Sequence, residues 1–76
     1  MNRIESLKST IEHYVSISKE TGVLTDFQMK DFNKTCFALR GYGRKCREYV
    51  LVRVADVFKN IHKHKYINYE KVQMGS

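Results

Sequence analysis

The sequence predicts a small all-α protein: a three-helix bundle with helices near 2–21, 26–40 and 44–63 and a short C-terminal tail. Three observations carry that expectation. Apolar residues recur at helical spacing in three separate segments. Capping signatures and glycines punctuate the chain between them. No proline interrupts any segment. The competing architecture is α+β, two helices followed by a C-terminal β-hairpin, because the stretch from Glu48 to Val54 is rich in β-branched residues.

The first segment places Ile4, Leu7, Ile11, Tyr14 and Val15 on one helical face. Asn2 is positioned to cap the first turn, with Glu5 three residues on, as in a capping box. Gly22 supplies the left-handed stop. The opposite face, with Arg3, Glu12, His13 and Glu20, is a mixed-charge solvated face. The second segment opens at Thr25, where Thr25-Asp26-Phe27-Gln28 repeats the capping-box pattern and Asp26 complements the helix dipole. Met29, Phe32, Cys36 and Leu39 form its apolar stripe. Phe27 and Phe37 fall well off that stripe. A helix apolar on two sides is either central in a bundle or offers a face to a partner. Gly41-Tyr42-Gly43 ends it.

In the third segment Cys46, Val50, Val54, Val57 and Ile61 step by 4, 4, 3 and 4, which favours a helix over a strand. Leu51 and Phe58 flank that stripe, and Arg44 and Glu48 are spaced to pair across one turn. The tail from Lys65 to Met74 has no clean period and reads as a short fourth helix or an extended piece packed back on the bundle. Residues 1–74 form a single domain by length, and Gly75-Ser76 reads as a tag remnant. A core this small rarely supplies more than about 3–5 kcal/mol, so a homodimer is one route to added stability.

Charge is distributed unequally. Residues 1–39 sum to zero, and residues 40–76 hold the whole net charge of +6. A one-sided basic surface is the footprint of a binder of phosphate or of an acidic partner. No run approaches the roughly 20 apolar residues a spanning helix needs, and the first ten residues lack the apolar stretch of a secretory signal. The expectation is therefore no membrane association and a cytoplasmic location. Cys36 and Cys46 are expected as buried, free thiols. His62 and His64 point about 200° apart on a helix and cannot share one ion with them, so no metal site and no cofactor is expected. No nucleophilic or acid–base constellation is local in the sequence, and the chain has little room for a pocket, so no enzymatic activity is expected.

The sharpest local feature is Arg40-Gly41-Tyr42-Gly43-Arg44-Lys45-Cys46-Arg47, four cations within eight residues around two glycines and an aromatic. The cations and the free N–H groups of the following helix suit phosphate, and Tyr42 suits stacking on a base. An ordinary soluble loop is the bland alternative, and no G-x-x-x-x-G-K-[ST] phosphate loop is present. Lys45, Lys59 and Lys63 fall within about 40° of one another around the third helix and could follow a nucleic-acid backbone, although Glu48 and Asp56 interrupt the row. The match to a helix-turn-helix is poor: aligned on Gly43, the positions wanting a small and an apolar residue hold Leu39 and Arg44. The leading expectation is a regulatory or accessory protein that binds DNA or RNA through Arg40, Tyr42, Arg44, Lys45, Arg47, Lys59 and Lys63. The alternative is a protein-binding inhibitor or adaptor that presents Phe27 and Phe37 beside a basic rim to an acidic protein.

Overall fold

The computed structural model describes the backbone of residues 2–75 and the side chains of residues 2–62. Three helices pack together: α1 (Arg3–Thr21), α2 (Asp26–Arg40) and α3 (Arg44–Gly75). No strand forms among the described residues, so the hairpin alternative is overturned. The physical reason lies in turn chemistry. No glycine or proline stands between Arg44 and Met74, so nothing there reverses the chain.

The helix starts form where the sequence predicts, with the full capping box at α2 and only its Asn2 half at α1. Asn2 Oδ1 accepts from the Glu5 N–H at 2.8 Å. Thr25 Oγ1 accepts from the Gln28 N–H at 3.1 Å, and Gln28 Oε1 accepts from the Thr25 N–H at 2.9 Å, completing the capping box. Gly22 closes α1 at φ 72°, and its N–H donates to the Ser18 carbonyl at 2.9 Å.

The end of α3 departs from expectation. The third helix does not stop near 63 but runs through the segment read as a tail, 32 residues in all. At about 1.5 Å per residue it spans roughly 48 Å, close to the 51 Å long axis of the molecule. A helix needs no packing stripe to continue when no breaker intervenes, and Glu70, Lys71, Gln73 and Met74 are good helix formers. Gly75, half of the expected tag remnant, is the last residue of α3, and Ser76 lies outside the described residues.

The three stripes meet in one core. Ile11, Phe32, Leu39 and Val57 are fully buried, and Tyr14, Cys36, Cys46 and Val50 nearly so. Ile4, Leu7, Val15, Met29, Val54 and Ile61 pack around them. The edge of the Tyr14 ring meets Phe32, with centroids 6.2 Å apart. Both cysteines are buried and free.

Polar ties then fix α1 against its neighbours. The Tyr14 hydroxyl donates to Asp31 Oδ2 on α2 at 2.5 Å. On α3, the Tyr49 hydroxyl donates to Glu12 Oε2. Arg53 Nε stands 2.7 Å from the same oxygen, an ion pair too poorly aligned for a hydrogen bond. Arg53 also donates to Asp56 at 3.0 Å from its Nη1. Further along, Asn60 Nδ2 donates 3.1 Å to the buried Ser18 Oγ, which itself donates to the Val15 carbonyl at 2.7 Å. These contacts advance together along α1 and α3, so the two helices run in the same direction and α2 runs antiparallel to both.

Candidate nucleic-acid interface

The loop after α2 is a tight turn. The Gly41 N–H donates to the Ala38 carbonyl at 3.3 Å and the Tyr42 N–H to the Leu39 carbonyl at 3.0 Å. Only one of its two glycines is conformationally required. Gly43 sits at φ 133°, where a side chain is strained. Gly41 has an ordinary φ of −73°, and a Cβ there would meet the Ala38 oxygen at a comfortable 3.5 Å.

The start of α3 is electrostatically unlike the other two. Both α1 and α2 carry a side-chain cap and an acid in the first turn, Asn2 with Glu5 and Thr25 with Asp26. At α3 the cap position is Gly43, which has no side chain, and the first turn holds no acid but Arg44 and Lys45. Cations at the positive end of a helix dipole are unfavourable, and a bound anion would relieve them.

Arg40, Tyr42, Arg44, Lys45 and Arg47 are all exposed. Among the described residues both ion pairs belong to Arg53, so none of these cations is neutralised by a carboxylate. Arg44 and Glu48 do not form the pair their spacing allows. The guanidinium of Arg40 lies over the Phe37 ring, 6.0 Å from its centroid.

The structure nevertheless divides the predicted site. Residues two apart on a helix point about 200° from each other, so Lys45 and Arg47 leave α3 on opposite sides. Arg47 joins Arg40, Gly41 and Phe37 around a surface cavity of about 310 Å³ between α2 and α3. Lys45 faces away from it. Lys59 belongs to a third place, a cavity of about 400 Å³ beside α1, where it stands with Lys19, Arg53 and Asp56. The side chain of Lys63 lies outside the described residues.

The two phenylalanines of the protein-binding alternative are both on the surface, Phe27 77% and Phe37 76% exposed. They do not form one patch. Phe27 lines a recess with Lys30, Asp31 and Lys34 on the outer face of α2. Phe37 faces the α2–α3 seam, where a second cavity of about 290 Å³ continues over Cys36, Val50, Leu51 and Val54. Leu51 is 60% exposed. Its part in this groove went unassigned from sequence, although its place beside the core stripe was the signal. Burial pushes the Cys36 thiol up to about 11, so the groove floor holds a weak nucleophile.

Among the described residues no helix is long and apolar enough to cross a membrane, and no cluster of His, Cys, Asp and Glu is arranged to hold a metal. No family model, no curated protein and no solved structure matches the chain.

Proposed function

We propose that this protein is a small non-enzymatic accessory or regulatory protein that binds nucleic acid at the corner where α2 meets α3. The observation that carries this reading is the set of exposed, unpaired cations Arg40, Arg44, Lys45 and Arg47 around an uncapped helix start. Such a corner offers charge, backbone N–H groups and, in the exposed Tyr42, a stacking surface. Lys45 and Arg47 flank the helix on two sides, which suits a backbone crossing the helix end better than one following its length. Lys59 is accordingly set apart from the contact surface, and its side of α3 would at most add long-range attraction.

The expected binding is dominated by phosphate. With about four phosphates engaged, affinity for a mixed-sequence duplex or single strand falls roughly a hundredfold as salt rises from about 50 to about 200 mM. Fluorescence anisotropy with labelled oligonucleotides measures this directly. The double variant Arg44→Glu, Lys45→Glu abolishes the binding and keeps the fold, since acids at a helix start are favourable. Salt-independent binding, or binding that survives the reversal, overturns the assignment.

The exposed Phe37 and Leu51 favour a second reading, a protein-binding module, at the adjoining groove.

A further inference from the structure

The groove between α2 and α3 has a chemistry that phosphate does not use. Its floor is Cys36, Val50 and Val54, and its walls are the exposed faces of Phe37 and Leu51. Arg40 and Arg47 close one end. Among the described residues Asn33 is the only other polar side chain along it besides the Cys36 thiol, and no carboxylate lines either cavity. From Arg47 to Val54 the groove extends about 10 Å, near two turns of a helix. Phe58, seven residues beyond Leu51 and 53% exposed, continues the apolar line by about one further turn past Val54.

We infer that this groove docks an acidic amphipathic helix of another protein, its apolar face on Phe37, Leu51 and Val54 and its carboxylates at Arg40 and Arg47. Charge selects the occupant. The apolar floor offers nothing to a phosphate backbone, whereas the two arginines at its end are matched by Glu or Asp and opposed by Lys or Arg. Charge also argues against a second copy. A second copy brings no carboxylate from this face to Arg40 and Arg47, because none lines the groove, and so leaves both guanidiniums unmatched. Backbone chemistry selects the helix. Among the described residues there is no sheet edge to pair with an extended segment, so an incoming strand would leave its N–H and C=O groups unmatched. A helix satisfies its own and offers side chains at i, i+3, i+4 and i+7.

The test is selection without a chosen ligand. A phage-displayed library of randomised peptides is panned against the full chain, with the Phe37→Ser chain as counter-selection. Both chains are checked for equal helicity by circular dichroism. The expected winners are helix-forming peptides with apolar residues at helical spacing and a surplus of Glu and Asp. As synthetic peptides they lose at least about tenfold in affinity to the Leu51→Ser chain and to the Arg40→Ala, Arg47→Ala chain. They keep their affinity for the Lys45→Glu chain, because Lys45 faces away from the groove. Basic or non-helical winners overturn the inference, and so does the absence of any Phe37-dependent winner. A dimer seen by sedimentation and lost on Phe37→Ser assigns the groove to a second copy instead. Oligonucleotide binding that is lost on Phe37→Ser and Leu51→Ser assigns it to nucleic acid. Failure of peptide docking leaves the salt-sensitive oligonucleotide binding of the corner intact, so the two proposals fall separately.

Discussion

The two flanks of α3 are built differently. Toward α1 the helix is pinned by side chains of defined direction: Tyr49 and Arg53 reach Glu12, and Asn60 reaches Ser18. Toward α2 no side-chain hydrogen bond or ion pair crosses among the described residues. The contact there is Cys36, Leu39 and Val50 in the core, and then the open groove under Phe37. Polar ties specify one geometry but add little net stability when half-exposed. An apolar contact is non-directional and can be extended by any further apolar surface. The α1 flank therefore fixes where α3 lies, and the α2 flank remains able to accept something more.

The largest effect that tests this division comes from two phenylalanines of one helix, five residues apart. Phe32 is fully buried, against Tyr14 and the core. Phe32→Ala should cost about 3–5 kcal/mol. That is comparable to the roughly 3–5 kcal/mol that a single core of this size supplies. The expected outcome is a chain largely unfolded at 25 °C, read as lost helicity in circular dichroism. A variant that keeps a cooperative thermal transition near that of the parent would place the core elsewhere.

Much of this arrangement is legible in the chain itself. The caps at Asn2 and Thr25, the stop at Gly22 and the three stripes are local features, so spacing and residue type suffice to find them. The continuation of α3 was open to sequence reading as well. The absence of any breaker between Arg44 and Met74 is the stronger signal, and a missing apolar period does not by itself end a helix. The pairs Tyr14–Asp31, Glu12–Arg53 and Ser18–Asn60 were not legible, because residues far apart in sequence meet only once the helices cross. At the candidate site the cation cluster was visible, and its spread over two sides of α3 follows from helix geometry. Lys45 and Arg47, two apart on a helix, cannot share a side. The exposure of Phe27 and Phe37 follows from helix number. With three helices, α2 buries one face against two neighbours and has no fourth to cover the other.

The next effect in size concerns the α1 flank and is read by alkali. Burial first, and then the Glu12 carboxylate that accepts its hydroxyl proton, push Tyr49 up to about 12 from its ordinary 10.0. Tyr14 is raised too, chiefly by its hydrogen bond to Asp31. A raised value means that the folded state holds a proton the unfolded chain has already released. The stability tied to Tyr49 is therefore whole below pH 10 and declines as pH rises from 10 to about 12. Cys36, raised from 9.0 to about 11, adds a decline of the same sign that starts earlier. Urea midpoints measured across this range should fall. Tyr49→Phe should flatten the upper part of the fall and remove one late component from the phenolate absorbance titration. A midpoint indifferent to pH from 10 to about 12, or a Tyr49→Phe chain with an unchanged slope, would break the account of a pinned α1 flank.

The smallest effect is expected at the groove, and its smallness is the point. Phe37 is 76% exposed, and the Arg40 guanidinium lies over its ring at 6.0 Å from the centroid. Little of the ring leaves water on folding, so little transfer free energy depends on it. Phenylalanine and serine also differ little in helix propensity. Phe37→Ser should thus shift stability by no more than about 0.5 kcal/mol in either direction, measured by urea unfolding beside Phe32→Ala. A loss of about 2 kcal/mol or more would mean that the ring already covers core, and the groove would then be part of the bundle's own packing. A neutral result separates the two residues cleanly: one phenylalanine sustains the fold, and the other, carried at an exposed seam with Leu51 beside it, adds nothing to it. A large apolar surface that the fold does not use is a standing liability for aggregation. Its placement beside Arg40 and Arg47, rather than scattered singly, is what supports the docking proposal.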